Sequence, residues 1–177
     1  MSSIIALITD FGHKDPYVGQ MKASLLVCAP QCSIVDISHE VEPYHLCQAS
    51  FFLQCSWDKF PKNTIFVVVI DPGVGTKRRL LCLEKDNRLV LAPDNGVLGL
   101  LLPPKGEDPG AMRIWDVTPA VRNMAKSGQL CAISSTFHGR DVFAPLAARM
   151  AHGEDPSRLG VELELEELTR PNWPAAS

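Results

Sequence analysis

The chain has 177 residues, of which 46% are hydrophobic and 21% charged, with a formal net charge of -3. This length fits one domain able to bury roughly 70% of the surface its unfolded chain exposes, and the balance excludes a disordered chain or a nucleic-acid partner bound through a basic face. The longest apolar runs, 65–70 and 97–102, fall far short of the roughly 20 residues a membrane span needs, so no membrane partner is expected.

The opening MSSIIALITDFG lacks the basic stretch of a signal peptide, and a cytoplasmic protein is expected. Ser3 to Thr9 reads as a strand that breaks at Asp10-Phe11-Gly12. Asp15-Pro16 then offers an N-cap and a first-turn proline for a helix through about Cys28. Ser33 to Ile37 is a second strand, and Tyr44 to Phe60, after Pro43, carries apolar residues at helical spacing.

Thr64 to Ile70 is the third strand, and its unbroken apolar run suits a strand covered on both faces, as in a parallel sheet flanked by helices. It ends in Asp71-Pro72-Gly73-Val74-Gly75-Thr76, closed by Lys77, Arg78 and Arg79. Pro72 fixes φ, while Gly73 and Gly75 permit a close approach of the backbone or a positive φ. Taken alone, these residues fit a tight turn as well as a ligand loop.

Arg79 to Glu84 and Arg88 to Ala92 form a hairpin turning through Asp86-Asn87. Pro93-Asp94-Asn95-Gly96 reads as a structural turn leading to a short apolar helix. Leu102 to Gly110 is a surface loop rich in breakers, Met112 to Val117 a strand, and Gln129 to Ser134 a further candidate strand. From Gly139 a helix capped near Asp141 presents Phe143, Leu146, Ala147 and Met150 on one face and stops at Gly153. Gly160 to Ser177 has no expected element.

Six cysteines, at 28, 32, 47, 55, 82 and 131, show no CxxC spacing, and buried free thiols of a cytosolic protein are expected. The five histidines form no HxH or HExxH pattern, so no metal site is expected. Alternating strands and helices give an α/β fold, a mostly parallel central sheet with helices on both faces in Rossmann-like layers. Three polar clusters follow apolar runs: Asp10 to Gly12, Asp71 to Arg79, and Thr136 to Asp141. Parallel neighbouring strands would bring all three to the carboxyl-end rim, where such sheets bind ligands.

The segments LITDFGHKDPYVGQMK, IVDISHEVEP, VVVIDPGVGTKRR, APDNG and STFHGRDVFAPLAARMAHG, in this order, resemble the S-adenosyl-L-methionine (SAM) hydroxide adenosyltransferases, relatives of the bacterial fluorinases and chlorinases. The match runs from about Ile4 to Pro171. It implies hydrolysis of SAM to adenosine and methionine without a cofactor, by a homo-oligomer, a trimer, that uses an Asp-Arg-His triad. By motif position the triad is Asp71, Arg78 and His138. The resemblance gives Asp10 the ribose hydroxyls, and Tyr44 a position where halogenating relatives place a tryptophan against the substrate. Phe11, Asp15, Tyr17, Thr76 and Phe137 complete the implied substrate-binding set. At Asp10 a local turn, at Asp15 a helix cap and at Phe137 core packing are the alternatives, and Thr136 offers a second hydroxyl beside Thr76.

The chemistry can be built from the residues. Attack on ribose C5′ expels a neutral thioether from a sulfonium, so no general acid is required, and the difficulty lies in orienting and deprotonating water. His138 can accept that proton, Asp71 can orient the imidazole or the water, and Arg78 can stabilise hydroxide character. The alternative is a structural Asp-Arg ion pair with His138 as a satisfied neighbour.

The resembling family continues into a small β-barrel domain that supplies most adenine and methionine contacts. Here residues 1–170 are expected to form the α/β domain and 171–177 a linker-like tail where the barrel would start. The expectation is therefore a fragment, a partner of a second chain carrying the barrel, or a protein without turnover. A nucleoside-binding module is the second functional class. A halogenase is disfavoured, because the halogenating relatives lack the Asp-Arg-His set.

Overall fold

A computed structural model describes residues 3–127, 134 and 136–171. Its strands are β1 (Ile4–Thr9), β2 (Ser33–Ser38), β3 (Ile65–Val69), β4 (Leu80–Lys85), β5 (Arg88–Pro93), β6 (Arg113–Asp116) and β7 (Val161–Glu162). Its α-helices are α1 (Tyr17–Cys28), α2 (Leu46–Trp57), α3 (Thr118–Lys126) and α4 (Ala144–Ala151), the last entered through a π-helical turn, Gly139–Phe143. All seven strands form one sheet in the order β2-β1-β3-β5-β4-β6-β7. The pairs β1–β2, β1–β3 and β3–β5 are parallel, and β5–β4, β4–β6 and β6–β7 antiparallel. Two reversals restore the direction of β6, so β1, β2, β3, β5 and β6 run one way against β4 and β7, and the sheet is mostly parallel. Among the described residues no barrel accompanies it.

Alternate residues of the central strands feed two cores, as the period-2 pleat requires. Ile5 and Leu7 of β1 and Ile65, Val67 and Val69 of β3 pack with α1, α3 and α4. Ala6, Ile8, Phe66, Val68 and Ile70 pack with α2 and the 97–102 segment. Both faces are therefore covered, which is why β3 is buried at every position.

Several local expectations are corrected. The hairpin turns where expected, with Asp86 and Asn87 at φ 53° and 58°, values suited to a two-residue turn. Residues 97–102 form successive turns rather than a helix, with the amide of Gly99 on the carbonyl of Gly96 and that of Leu101 on Leu98. A Cβ at Gly99 would lie 2.7 Å from Pro171 Cγ, so Pro171 fills the space a side chain at this position would need. Helix α2 begins at Leu46 rather than Tyr44, capped by His45 Nδ1 accepting from the Gln48 amide, because Tyr44 sits at φ 64°, outside helical geometry.

Asp141 lies inside the π-helical turn and not at its cap. Helix α3 follows β6 where no helix is expected, and residues 160–171, expected to be featureless, contain β7 and a 3₁₀ turn, Leu165–Glu167. Of the five described cysteines all are free, but only Cys82 is buried, while Cys28 and Cys55 are exposed. Cys131 and most of the candidate strand 129–134 lie outside the described residues, as does the tail beyond Pro171. No helix among the described residues is long and apolar enough to cross a membrane.

Candidate active site

The parallel strands β1 and β3 end side by side, Thr9 opposite Val69, so the loops that follow them open on the same rim. The loop after β3 is tightly self-bonded: the Val74 amide donates to the Asp71 carbonyl at 3.2 Å, and the Thr76 amide to Gly73 at 3.1 Å. Gly75 at φ 79° turns the chain back, a conformation that favours glycine. Asn95 Nδ2 donates to the Ile70 carbonyl at 2.8 Å, and Arg79 Nε to Asp94 Oδ2 at 2.8 Å. The Asp94-Asn95 turn thus braces the residue that precedes Asp71.

Within this brace Arg78 holds both of its triad neighbours. Its Nε donates to Asp71 Oδ1 at 2.6 Å, its Nη2 donates to Asp71 Oδ2, and Nη2 also lies 3.1 Å from His138 Nδ1. The side chains of Arg78 and Asp71 are 9% and 5% exposed. A guanidinium has only donors, so His138 accepts at Nδ1 and the neutral ring carries its proton on Nε2. Burial lowers the His138 pKa, and the nearby Arg78 charge lowers it further, against smaller opposing effects of Asp71 and Asp141. The neutral imidazole is therefore the favoured form.

A cavity of about 170 Å³ opens beside this triad, lined by residues of all three loops, among them Asp10, Tyr44, Asp71 and His138. Asp10 Oδ2 accepts from the Tyr44 amide at 3.0 Å, and burial raises the Asp10 pKa despite that bond. Thr9 Oγ1 lies 2.7 Å from His39 Nδ1 and accepts from the Phe11 amide at 3.3 Å, while the His39 carbonyl accepts from the Gly12 amide at 2.7 Å. His39 Nε2 is 3.0 Å from Asp36 Oδ1 but off the hydrogen-bonding direction, which leaves it without an aligned partner. Together these bonds fix the Asp10-Phe11-Gly12 loop from the β2 side.

The third wall is aromatic. Phe11 and Tyr17 ring centres are 4.1 Å apart, and Tyr17 and Phe137 meet edge-on at 4.9 Å. Burial pushes the Tyr17 hydroxyl up to about 12, so it stays protonated. A Cβ at Gly139 would stand 2.9 Å from Phe11 Cζ and 3.4 Å from Tyr17 Oη, so these rings occupy the space a side chain would need.

The expected site residues are thus partly gathered. Asp10, Phe11, Tyr17, Tyr44, Asp71, Thr136 and His138 line the cavity, with Arg78 behind Asp71 and His138, and Phe137 against Tyr17. Asp15 and Thr76 do not line it: Asp15 accepts from the Tyr17 amide at the start of α1, and the Thr76 hydroxyl donates to the Gly73 carbonyl at 2.7 Å. Val69, Pro72, Val74 and Gly139 also line it, though the sequence alone does not mark them as site residues. A glycine directly after His138, at the head of a helical pattern, was the available signal for the last. Among the described residues no group of acidic, cysteine and histidine side chains has metal-binding geometry.

The model of the SAM hydroxide adenosyltransferase N-terminal domain matches residues 5–160. The chain is 37% identical to the (R)-S-adenosyl-L-methionine hydrolase of Thermus thermophilus over 94% of its own length and 64% of that protein's. It is 36% identical to the protein of the same name from Salinispora arenicola, covering 94% of itself and 60% of the relative. Among solved structures it resembles an uncharacterized conserved protein from Thermotoga maritima, with TM-score 0.79, 37% identity, and coverage of 98% of this chain and 63% of that one. The chain therefore spans less than two thirds of the length of these relatives.

Proposed function

The chain belongs to the SAM hydroxide adenosyltransferase N-terminal domain family, and on that premise we propose that it carries the site at which SAM is hydrolysed to adenosine and methionine. Oxygen attacks ribose C5′, the C5′–S bond breaks, and methionine leaves with the electron pair on its neutral sulfur. The nucleophile enters as hydroxide, or as water that releases one proton to solvent.

The observation that carries the reading is the position of Arg78 between two acceptors. Asp71 receives two of its hydrogen bonds and His138 Nδ1 a third, so the one lone pair of the neutral imidazole is not free to take a proton from water, while Asp71 is engaged in holding Arg78. Nε2–H of His138 remains as a donor, and Arg78 Nη1 has no partner among the described residues. An oxygen held by Nε2–H beside the guanidinium charge is stabilised in its anionic form. His138 in this reading donates to the nucleophile, which differs from the proton-accepting role expected from its residue type. Asp71 holds Arg78 in register.

Asp10 is the group suited to the ribose: one carboxylate oxygen accepts from the Tyr44 amide, and the residue lines the cavity. The cavity's 170 Å³ is below the roughly 300–1,000 Å³ of pockets that enclose a whole drug-sized ligand. We therefore assign to this chain the ribose and the reacting C5′, with the rest of SAM enclosed by other residues. The homo-oligomeric, trimeric state implied by the family resemblance, and the cytoplasmic location expected from the N-terminal sequence, are part of the same proposal.

The pH–rate profile tests the donor role. A base titrating below the ordinary 6.5 of histidine gives a plateau in kcat/KM at neutral pH, whereas a donor that stabilises hydroxide gives a continued rise from about pH 7 to about pH 9. The rise is expected; a plateau at neutral pH that disappears in His138→Gln would return the proton to His138.

A further inference from the structure

Ser134 and Asp141 bracket the segment that brings Thr136, Phe137 and His138 to the site, and Asp141 bonds both parts of it. Its Oδ2 accepts from the Ser134 amide at 2.9 Å, and its own amide donates to the Phe137 carbonyl at 2.9 Å. The side chain is 8% exposed and does not line the cavity. Burial alone would raise its pKa, but hydrogen bonds from Arg140 and the Ser134 amide outweigh this and hold it low. The ionised carboxylate, a strong acceptor, is therefore the form present.

Arg140 completes the arrangement from the outside. Nε donates to Asp141 Oδ1 at 2.6 Å and Nη2 to Oδ2 at 3.0 Å, while Nη1 reaches Gln20 Oε1 of α1 at 2.9 Å. Its guanidinium carbon lies 4.8 Å from the Phe137 ring centre, and its carbonyl accepts from Ser24 Oγ, also of α1, at 2.9 Å. The third loop is thereby fastened to the helix that follows the first.

We propose that Asp141, oriented by Arg140, is a positioning residue for His138: by holding the Ser134 amide against the π-helical turn it keeps the imidazole Nδ1 on Arg78. The inference rests on the hydrolase reading above. It predicts a dependence on the acceptor oxygen facing Ser134 rather than on charge. Asp141→Asn keeps an oxygen in that place and loses the ion pair with a partly exposed arginine; Asp141→Ala loses both.

The experiment measures SAM turnover, adenosine binding by calorimetry and the imidazole nitrogen shifts of His138, using the chain with the C-terminal remainder of a relative added. Asp141→Asn is expected to keep kcat within about fivefold of the parent. Asp141→Ala should lose about 10²-fold in kcat with KM nearly unchanged, since misplacement of a reacting group acts on kcat, and the acceptor-type signal of Nδ1 should disappear. Ser134→Pro, which removes the amide hydrogen and leaves Asp141 in place, should reproduce that loss, and it decides the matter if Asp141→Ala does not fold. An unchanged Nδ1 signal in Asp141→Ala and Ser134→Pro would overturn the proposal, as would equal losses of kcat in Asn and Ala. A parent that turns over no SAM counts against the hydrolase reading alone, and the nitrogen shifts then decide the positioning claim.

Discussion

Replacing Gly139 by alanine isolates the aromatic wall from the triad. The backbone tolerates the change, because Gly139 lies in a helical turn with no positive φ, and alanine gains about 1 kcal/mol of helix propensity over glycine. The new methyl stands 2.9 Å and 3.0 Å from Phe11 Cζ and Cε2, closer than packed carbons approach, so the Phe11 ring must yield. Overpacking of this kind costs about 1–3 kcal/mol, leaving a net loss of roughly 0–2 kcal/mol, or up to about 8 °C in Tm for a domain of this size. Phe11 lines the cavity, and moving its ring away from a bound nucleoside forfeits a ligand contact of about 0.5–1.5 kcal/mol, which converts to a two- to roughly tenfold weaker binding of adenosine. Calorimetric titration of adenosine, with thermal unfolding measured in parallel, checks both numbers. Parent-like affinity in a folded Gly139→Ala protein would refute the placement of Phe11 and Tyr17 against the nucleoside.

Two further outcomes follow from the charges. Arg78→Ala leaves the Asp71 carboxylate, 5% exposed, without its partner, so urea unfolding should record a loss of about 3–5 kcal/mol. In the same variant His138 loses a neighbouring charge that lowers its pKa, and NMR titration should find that pKa higher than in the parent. His39 and His138 are both held below the ordinary 6.5 by burial, so below that value the unfolded chain binds more protons than the folded one. Their contribution to stability is complete above 6.5 and is lost as pH falls through the lowered folded values. Urea midpoints should therefore drop from about pH 7.5 to about pH 5.5, and His39→Gln should reduce the drop; a midpoint that rises on acidification would contradict the assignment.

How much of this could be read from the chain differs by element. β1, β3 and the β4–β5 hairpin are legible because burial on both faces leaves an unbroken apolar run and because Asp86-Asn87 accepts two positive φ angles. Helix α3 is not, since only Val121 and Met124 of its nine residues are buried and its apolar signal is sparse. β7 is two exposed residues whose strand conformation follows from pairing with β6 and from the ion pair of Glu162 with Arg113, neither visible locally. The first two polar clusters are legible as breaks after β1 and β3, and their arrival on one rim follows from the parallel pairing of those strands; the run before the third lies outside the described residues. The triad assignment came from family resemblance alone. The bonds from Arg78 to both Asp71 and His138 depend on side-chain placement across sixty residues of chain, which no local pattern encodes. Asp15 and Thr76 show the converse, polar residues in the expected loops whose groups are consumed by neighbouring backbone.

The most direct test of the central claim is hydrolysis of SAM in water enriched in oxygen-18, by the chain alone and with the C-terminal remainder of a relative. Attack on C5′ predicts adenosine carrying the label in its 5′-hydroxyl and methionine carrying none. Adenosine without label, or no adenosine under either condition, would contradict a water-activating site built from Asp71, Arg78 and His138.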